Sequence, residues 1–172
     1  MQYNNNPRFC LSCGSKLSRK TDQNNVQRIF CPSCGWSYYA NPIPVSACVV
    51  LNERNELLLI KRKNEPNPGA WALPSGYVEI DETAEECAVH ELLEETGLIG
   101  EVDEFLGFFF QSSPLYKRVI TFGFLMKIAG GELKPGDDAL DGRYYSLDNL
   151  PDIPFSSHIK LIAILRRKLG LS

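Results

Sequence analysis

The stretch from Gly76 to Leu98, GYVEIDETAEECAVHELLEETGL, constrains this chain more than any other. It reads as a loop running into a helix that carries Glu91, Glu94 and Glu95. At 3.6 residues per turn these side chains fall within an arc of about 100°, so they form one acidic patch. Like charges stacked at that spacing cost an isolated helix about 0.2–0.5 kcal/mol per pair, and a divalent cation is the expected compensation. Thr83 followed by Glu86 makes a capping box, and Gly97 stands where a left-handed residue ends a helix. On the helical wheel Val89, Leu92, Leu93 and Thr96 lie away from the carboxylates, with Ala84, Cys87 and Ala88 flanking them. The expectation is a core face opposite an acidic one, the latter bordered by small side chains that admit a loop or ligand.

A second constellation precedes this one. Cys10 and Cys13, then Cys31 and Cys34, form two Cys-x2-Cys pairs, each followed by a glycine, Gly14 and Gly35. Two such knuckles read as a zinc ribbon supplying four thiolates to one tetrahedral, structural Zn²⁺ with no open position for substrate. So short a segment cannot bury enough apolar surface to fold alone, so the metal stabilises it. Disulfides are the alternative, disfavoured because the N-terminus, MQYNNNPRF, has no apolar signal-peptide core. Residues 1–36 hold five basic side chains (Arg8, Lys16, Arg19, Lys20, Arg28) against Asp22 alone. That excess leaves a nucleic-acid contact by the ribbon open, although scattered lysines beside a dianionic zinc–thiolate centre account for it more simply.

The remaining residues carry the acidic balance, and the whole chain has net charge −3. Such a charge gives no general attraction to nucleic acid or to a membrane surface. Apolar runs reach only about five residues, as in Ala47 to Leu51, too short to span a bilayer. With 172 residues there is room for one substantial domain and a small appendage. A reducing, cytoplasmic setting is expected. The aromatic and proline-rich segment WSYYANPIP, Trp36 to Pro44, disfavours regular structure and marks the boundary, giving a ribbon over 1–40 and a larger domain over 41–172.

In the larger domain Val45 to Leu51 and Glu56 to Arg62 read as strands around the turn Asn52 to Asn55. Glu101 to Phe110 and Val119 to Ile128 read as a second pair. A glycine- and acid-rich loop, Gly130 to Gly142, follows with Asp137, Asp138 and Asp141. Ser156 or Ser157 is the expected cap of a final helix through Leu169, with Ile159, Ile162, Leu165 and Leu169 at helical spacing. Cys48 and Cys87 sit in apolar company and read as ordinary buried thiols.

The central stretch resembles a Nudix box, Gly-x5-Glu-x7-Arg-Glu-U-x-Glu-Glu-x-Gly-U, where U is aliphatic. Gly76, Glu82, Glu91, Leu92, Glu94, Glu95, Gly97 and Leu98 match, and His90 stands where the family has Arg. The paired cysteines followed by Tyr39, Asn41, Pro42 and Pro44 resemble the zinc-ribbon Nudix hydrolases, a group related to NADH, FAD and ADP-ribose pyrophosphatases. The resemblance implies an α/β/α sandwich with a mixed sheet, preceded by the ribbon.

It also implies hydrolysis of a nucleoside diphosphate linked to a second moiety, most readily FAD or ADP-ribose, with Mg²⁺ or Mn²⁺. Glu94 and Glu95 would be the principal metal ligands and Glu91 a ligand or the base. Glu82 would brace the loop, and the Ser75 carbonyl beside Gly76 would face the metal. Arg62 becomes a candidate phosphate contact, and Asp138 or Asp141 a candidate late carboxylate. Ser75 and Asp81 replace usual glycines, Asp being tolerant of left-handed angles.

Of the Ser-Gln-Pro-Trp-Pro-Phe-Pro signature of NADH pyrophosphatases only Gln111 and Pro114 persist, which disfavours a dedicated NADH enzyme. NADH, dinucleoside polyphosphates and capped RNA stay open as substrates, as does a nucleotide-sensing module weakened at His90. The expected partner is a small-molecule nucleotide, without a membrane. Homodimerisation is left open.

Overall fold

A computed structural model of the protein describes residues 6–136 and 138–171, so Asp137 lies outside the described residues. The chain divides into two compact units between Pro42 and Ile43.

In the first unit three short strands, β1 (Ser18–Thr21), β2 (Gln27–Phe30) and β3 (Ser37–Tyr38), form an antiparallel sheet in that order. The segment 36–44, expected to be irregular, is so mainly from Tyr39 to Pro42: Ser37 and Tyr38 pair with Phe30 and Ile29, and Ile43 and Pro44 already pair with Val119 and Ile120. Both knuckles close alike: Gly14 N–H donates to Cys10 O and Gly35 N–H to Cys31 O, each at 2.9 Å. Both glycines adopt left-handed φ, 73° and 78°, which turns each chain segment back towards its cysteine pair.

The second unit holds β4 (Ile43–Val50), β5 (Leu57–Arg62), β6 (Trp71–Ala72), β7 (Ser75–Tyr77), α1 (Ala84–Thr96), β8 (Leu98–Ser113), β9 (Lys117–Gly131), β10 (Ala139–Tyr145) and α2 (Ser156–Lys168). One sheet runs β7-β4-β9-β8, with β4 and β9 parallel and the other neighbours antiparallel. The other runs β10-β5-β6. Thus β4 and β5, which read as neighbours around one turn, lie in different sheets, joined by a single bridge between Leu51 and Leu57.

Their sequences show why both are central. ACVV and LLLI are unbroken apolar runs, the pattern of strands covered on both faces. Ala47, Val49, Leu57 and Leu59 pack with Leu161, Ile162 and Leu165 of α2. Cys48, Val50 and Leu58 turn the other way, onto Ala88 and Leu92 of α1. The expected α/β/α sandwich with a mixed sheet is the observed architecture. Cys48 and Cys87 are buried, as expected.

Both helices depart from their wheels. Leu93, assigned to the core face, is 49% exposed, whereas Glu95 is buried at 6%. The face that meets the sheet runs through Cys87, Ala88, Leu92 and Thr96, so the acidic arc overlaps the buried one. In α2 the buried stripe is Ser157, His158, Leu161, Ile162 and Leu165, and Ile159 is exposed. Neither Ser156 nor Ser157 caps that helix; its cap residue is Phe155, which offers no side-chain bond. Gln111 of β8 serves instead, its Oε1 accepting the Ser157 N–H and hydroxyl, each at 3.1 Å. The orphan donors of a helix start are satisfied here from a distant strand.

Candidate active site

The capping box forms as read: Thr83 Oγ1 accepts the Glu86 N–H and Glu86 Oε2 accepts the Thr83 N–H. Gly97, at φ 70°, closes the helix with its N–H on Leu93 O. Both ends of α1 being fixed, the rotation that aims Glu91, Glu94 and Glu95 is fixed too.

Across from the helix runs β7. Ser75 N–H donates to Glu95 Oε2 at 2.7 Å, pinning the buried carboxylate to the loop. Gly76 lies so close to Glu91 that a Cβ there would come within 1.7 Å of its Oε1. A larger residue here would have to push the Glu91 carboxylate aside, a close-approach effect rather than a need for unusual backbone angles. Asp81 likewise is absent from the residues with positive φ, so the loop keeps its shape without left-handed angles there.

Glu82 braces the loop. Its Oε1 accepts the Glu79 N–H at 2.9 Å and its Oε2 meets His90 Nδ1 at 2.8 Å. The Glu79 N–H, joined by His90, holds this carboxyl below its usual range. His90 therefore makes one hydrogen bond at the position of the family's Arg. The pair is largely solvent-facing on the histidine side, which is 63% exposed.

The late loop reaches the site through the end of α1. Lys134 N–H and Gly136 N–H donate to the Thr96 and Glu95 carbonyls, taking up orphan acceptors of the last turn. Asp138 is then held by Lys63 N–H on its carbonyl at 3.0 Å and by Asn64 Nδ2 on its carboxylate at 2.7 Å. Asp141 is not part of this wall; its carboxylate pairs with Arg143 at 2.7 Å. Arg62 is anchored by the carbonyls of Pro66 and Glu65, and its guanidinium sits over the Phe155 ring, 5.5 Å from the centroid.

These residues line one cleft of about 750 Å³, within the size range of nucleotide-type ligands. Ser75, Gly76, Glu82, Glu91, Glu94, Glu95, Arg62 and Asp138 all face it. So do residues that the sequence did not single out for the site: Asn64, Tyr77, Phe155 and His158. His158 is the one with a readable signal, a lone imidazole on the buried stripe of the last helix.

Negative charge accumulates at the α1 wall. Burial first, then Glu94, Glu82 and Asp138, pushes Glu91 from 4.5 up to about 7. Burial, with Glu91 and Asp138, lifts Glu95 to about 8, although the Ser75 N–H and Arg62 pull it down. Carboxyls this perturbed mark an uncompensated anionic site, which a cation would relieve. Among the described residues the glutamate oxygens do not converge as tightly as the four thiols, whose sulfurs all lie within 4.8 Å of one another. The donor set still suits a hard ion such as Mg²⁺, which takes oxygen ligands and completes its shell with water and phosphate oxygens.

In the first unit the cysteines are free thiols, with Sγ separations of 3.6 Å for Cys10–Cys34 and 3.5 Å for Cys13–Cys31. Bonds of about 2.3 Å from a central zinc put tetrahedral sulfurs about 3.8 Å apart, so the cluster is close to ligating shape.

A family model described as the NUDIX domain matches residues 41–163. An ADP-ribose pyrophosphatase of Methanocaldococcus jannaschii is 47% identical over 116 residues, 66% of this chain and 67% of that protein. A NAD-capped RNA hydrolase NudC of Stutzerimonas stutzeri is 32% identical over 167 residues, 95% of this chain and 58% of that protein. The chain spans about half the length of the NudC relatives it matches. Among solved structures, a NUDIX hydrolase from Nitrosomonas europaea matches with a TM-score of 0.79 at 29% identity, covering 96% of this chain and 94% of that one. No helix among the described residues is long and apolar enough to cross a membrane. A family match over well more than half the chain, on a box whose glutamates line the cleft, makes this protein a member of the Nudix family.

Proposed function

We propose that the protein is a Mg²⁺-dependent hydrolase that cleaves the diphosphate of a nucleoside diphosphate linked to a second moiety, ADP-ribose or FAD foremost, releasing AMP. The observation that carries this reading is the carboxylate wall of α1, with Glu95 buried and Glu91 half-buried, lining a nucleotide-sized cleft with Arg62 on its rim. Glu91, Glu94 and Glu95, with the Ser75 carbonyl, would hold the ion, which when bound neutralises phosphate oxygens and acidifies water.

The chain's own residues supply the rest. Arg62, fixed by two carbonyls, offers a preorganised fork to phosphate oxygens. Where Glu94, Glu95 and the Ser75 carbonyl hold the ion, Glu91 would take a proton from the attacking water, and Asp138, on the same cleft, is the second candidate base. Water adds to one phosphorus, the bridging P–O bond breaks, and AMP and a phosphorylated partner leave. Glu82, tied to Glu79 and His90, keeps the loop that carries Ser75 and Gly76 against the helix. The cysteine cluster would hold a structural Zn²⁺. We place the protein in the cytoplasm, acting on a small-molecule nucleotide.

ADP-ribose leads because the ADP-ribose pyrophosphatase relative is the more similar of the two kinds, 47% against 32% identical. A second reading, NADH or an NAD-capped RNA end, is favoured by the NudC relative's alignment through nearly the whole chain, ribbon included. Incubation with Mg²⁺ and ADP-ribose, FAD, NADH, diadenosine polyphosphates and NAD-capped RNA, following AMP release, ranks these substrates. Tight binding of one compound with no turnover of any would replace the enzyme reading by a nucleotide-sensing one.

A further inference from the structure

His158 has no place in the metal-centred account. It lies on the first turn of α2 with only 5% of its surface exposed, yet it lines the cleft. Its Nδ1 accepts the backbone N–H of Leu73 at 3.2 Å, two residues before the Ser75 that holds Glu95. An imidazole that accepts through Nδ1 carries its proton on Nε2. Burial, reinforced by the neighbouring Arg62, lowers the pKa of this ring to about 3, so the tautomer stays neutral throughout the working range.

That leaves the Nε2–H donor. No buried side-chain nitrogen or oxygen among the described residues lacks a partner, and the only hydrogen bond of this ring is the one through Nδ1. Nε2 is therefore not sealed off, and it belongs to a side chain that lines the cleft. The imidazole and the Arg62 guanidinium both pack on Phe155, at 5.1 Å and 5.5 Å from its centroid, so the two donors share one wall. A cation beside an uncharged donor, facing a wall of carboxylates, suits a phosphate oxygen that the helix does not hold.

We propose that His158 is a substrate-binding residue whose Nε2–H, beside Arg62, donates to a non-bridging oxygen of the bound diphosphate. The proposal rests on the cleft being a diphosphate site. Two substitutions separate this role from a structural one. In His158→Asn the side-chain oxygen can still accept from Leu73 but nothing reaches into the cleft, whereas His158→Gln carries an N–H as far as the imidazole does.

Loss of one hydrogen bond to a charged group should raise KM for ADP-ribose about tenfold in His158→Asn, with kcat changing less than about threefold. His158→Gln should stay within about threefold of the wild-type KM. A purely structural histidine predicts the reverse order, and any result in which the glutamine variant is no better than the asparagine variant overturns the proposal.

A measurement can also be made on the unaltered protein, since the chain has only two histidines to assign. Adding ADP-ribose without Mg²⁺ should shift the His158 Nε2–H proton downfield and slow its exchange with water, and an unmoved resonance in the saturated complex overturns the proposal. A wild type that neither binds nor hydrolyses any diphosphate nucleotide removes this proposal together with the hydrolase reading. A wild type that turns over ADP-ribose with no change in His158→Asn removes this proposal alone.

Discussion

The protein builds two candidate metal sites by opposite means. In the first unit four thiols already stand within 4.8 Å of one another, brought there by two tight glycine-closed knuckles. In the second, three carboxylates share one helix face but keep their distance, and two of them are lifted well out of the carboxylate range. A soft, closed site can bring its ligands together within two tight turns, since no position has to stay open. A hard, open site has to leave room for water and substrate, and its like charges resist closer approach before the ion arrives.

The largest expected effect separates the two. Cys31→Ser should abolish stoichiometric zinc and unfold residues 6–42, because the binding free energy of a structural zinc, about 10–16 kcal/mol apparent, far exceeds what so small a core supplies. Hydrogen exchange should show protection lost over β1 to β3 and kept over β4, β5 and β9. Protection lost in both units would mean that the boundary between Pro42 and Ile43 does not separate independent folding units.

Next comes Glu94→Gln, which leaves the buried packing of α1 untouched because Glu94 is exposed. Turnover should fall by about 100-fold or more, several kcal/mol of lost transition-state charge stabilisation, with the thermal midpoint and zinc content unchanged. Retained turnover would remove Glu94 from the metal site. Gly76→Ala acts on the same wall through sterics. A methyl group placed 1.7 Å from Glu91 Oε1 must displace that carboxylate, which yields cheaply as the end of a flexible side chain, so stability should change little while metal binding is impaired. Calorimetry and Mn²⁺ titration would measure both.

Much of the carboxylate site was legible because its signals are local. Thr83, Glu86 and Gly97 fix the ends of α1, and the spacing of the glutamates fixes their common face. That Glu95 is buried was not legible, since a wheel gives directions but not what lies opposite, here the Ser75 N–H. The separation of β4 from β5 into two sheets was equally hidden, because an apolar run reads the same in either. The cap of α2 comes from Gln111, 46 positions upstream, beyond any local window.

The pH dependence of the carboxylate site is a subtler effect. Glu91 and Glu95 ionise near 4.5 when unfolded but hold their protons to about 7 and about 8 in the fold. The native state then binds more protons than the unfolded one, so the metal-free protein loses stability as pH rises from about 4.5 to about 8. Mg²⁺ should restore that stability and release protons on binding, with affinity falling below about pH 7, as calorimetry in buffers of differing ionisation enthalpy would record. A metal-free protein that gains stability over the same interval would contradict the burial of these carboxyls.

The smallest effect belongs to His90→Arg. The Glu82 pair is exposed on the histidine side, and such pairs contribute about 0–1 kcal/mol. Activity should be preserved or modestly raised, and a large loss would show that the imidazole has its own task.

A crystal soaked with Mn²⁺ and ADP-ribose, the ion located by anomalous scattering, decides whether the α1 carboxylates bind the metal. Manganese should be bound at about 2.1 Å by carboxylate oxygens of Glu91, Glu94 and Glu95 and by the diphosphate. An ion bound elsewhere, with those three side chains turned to bulk solvent, would contradict that assignment.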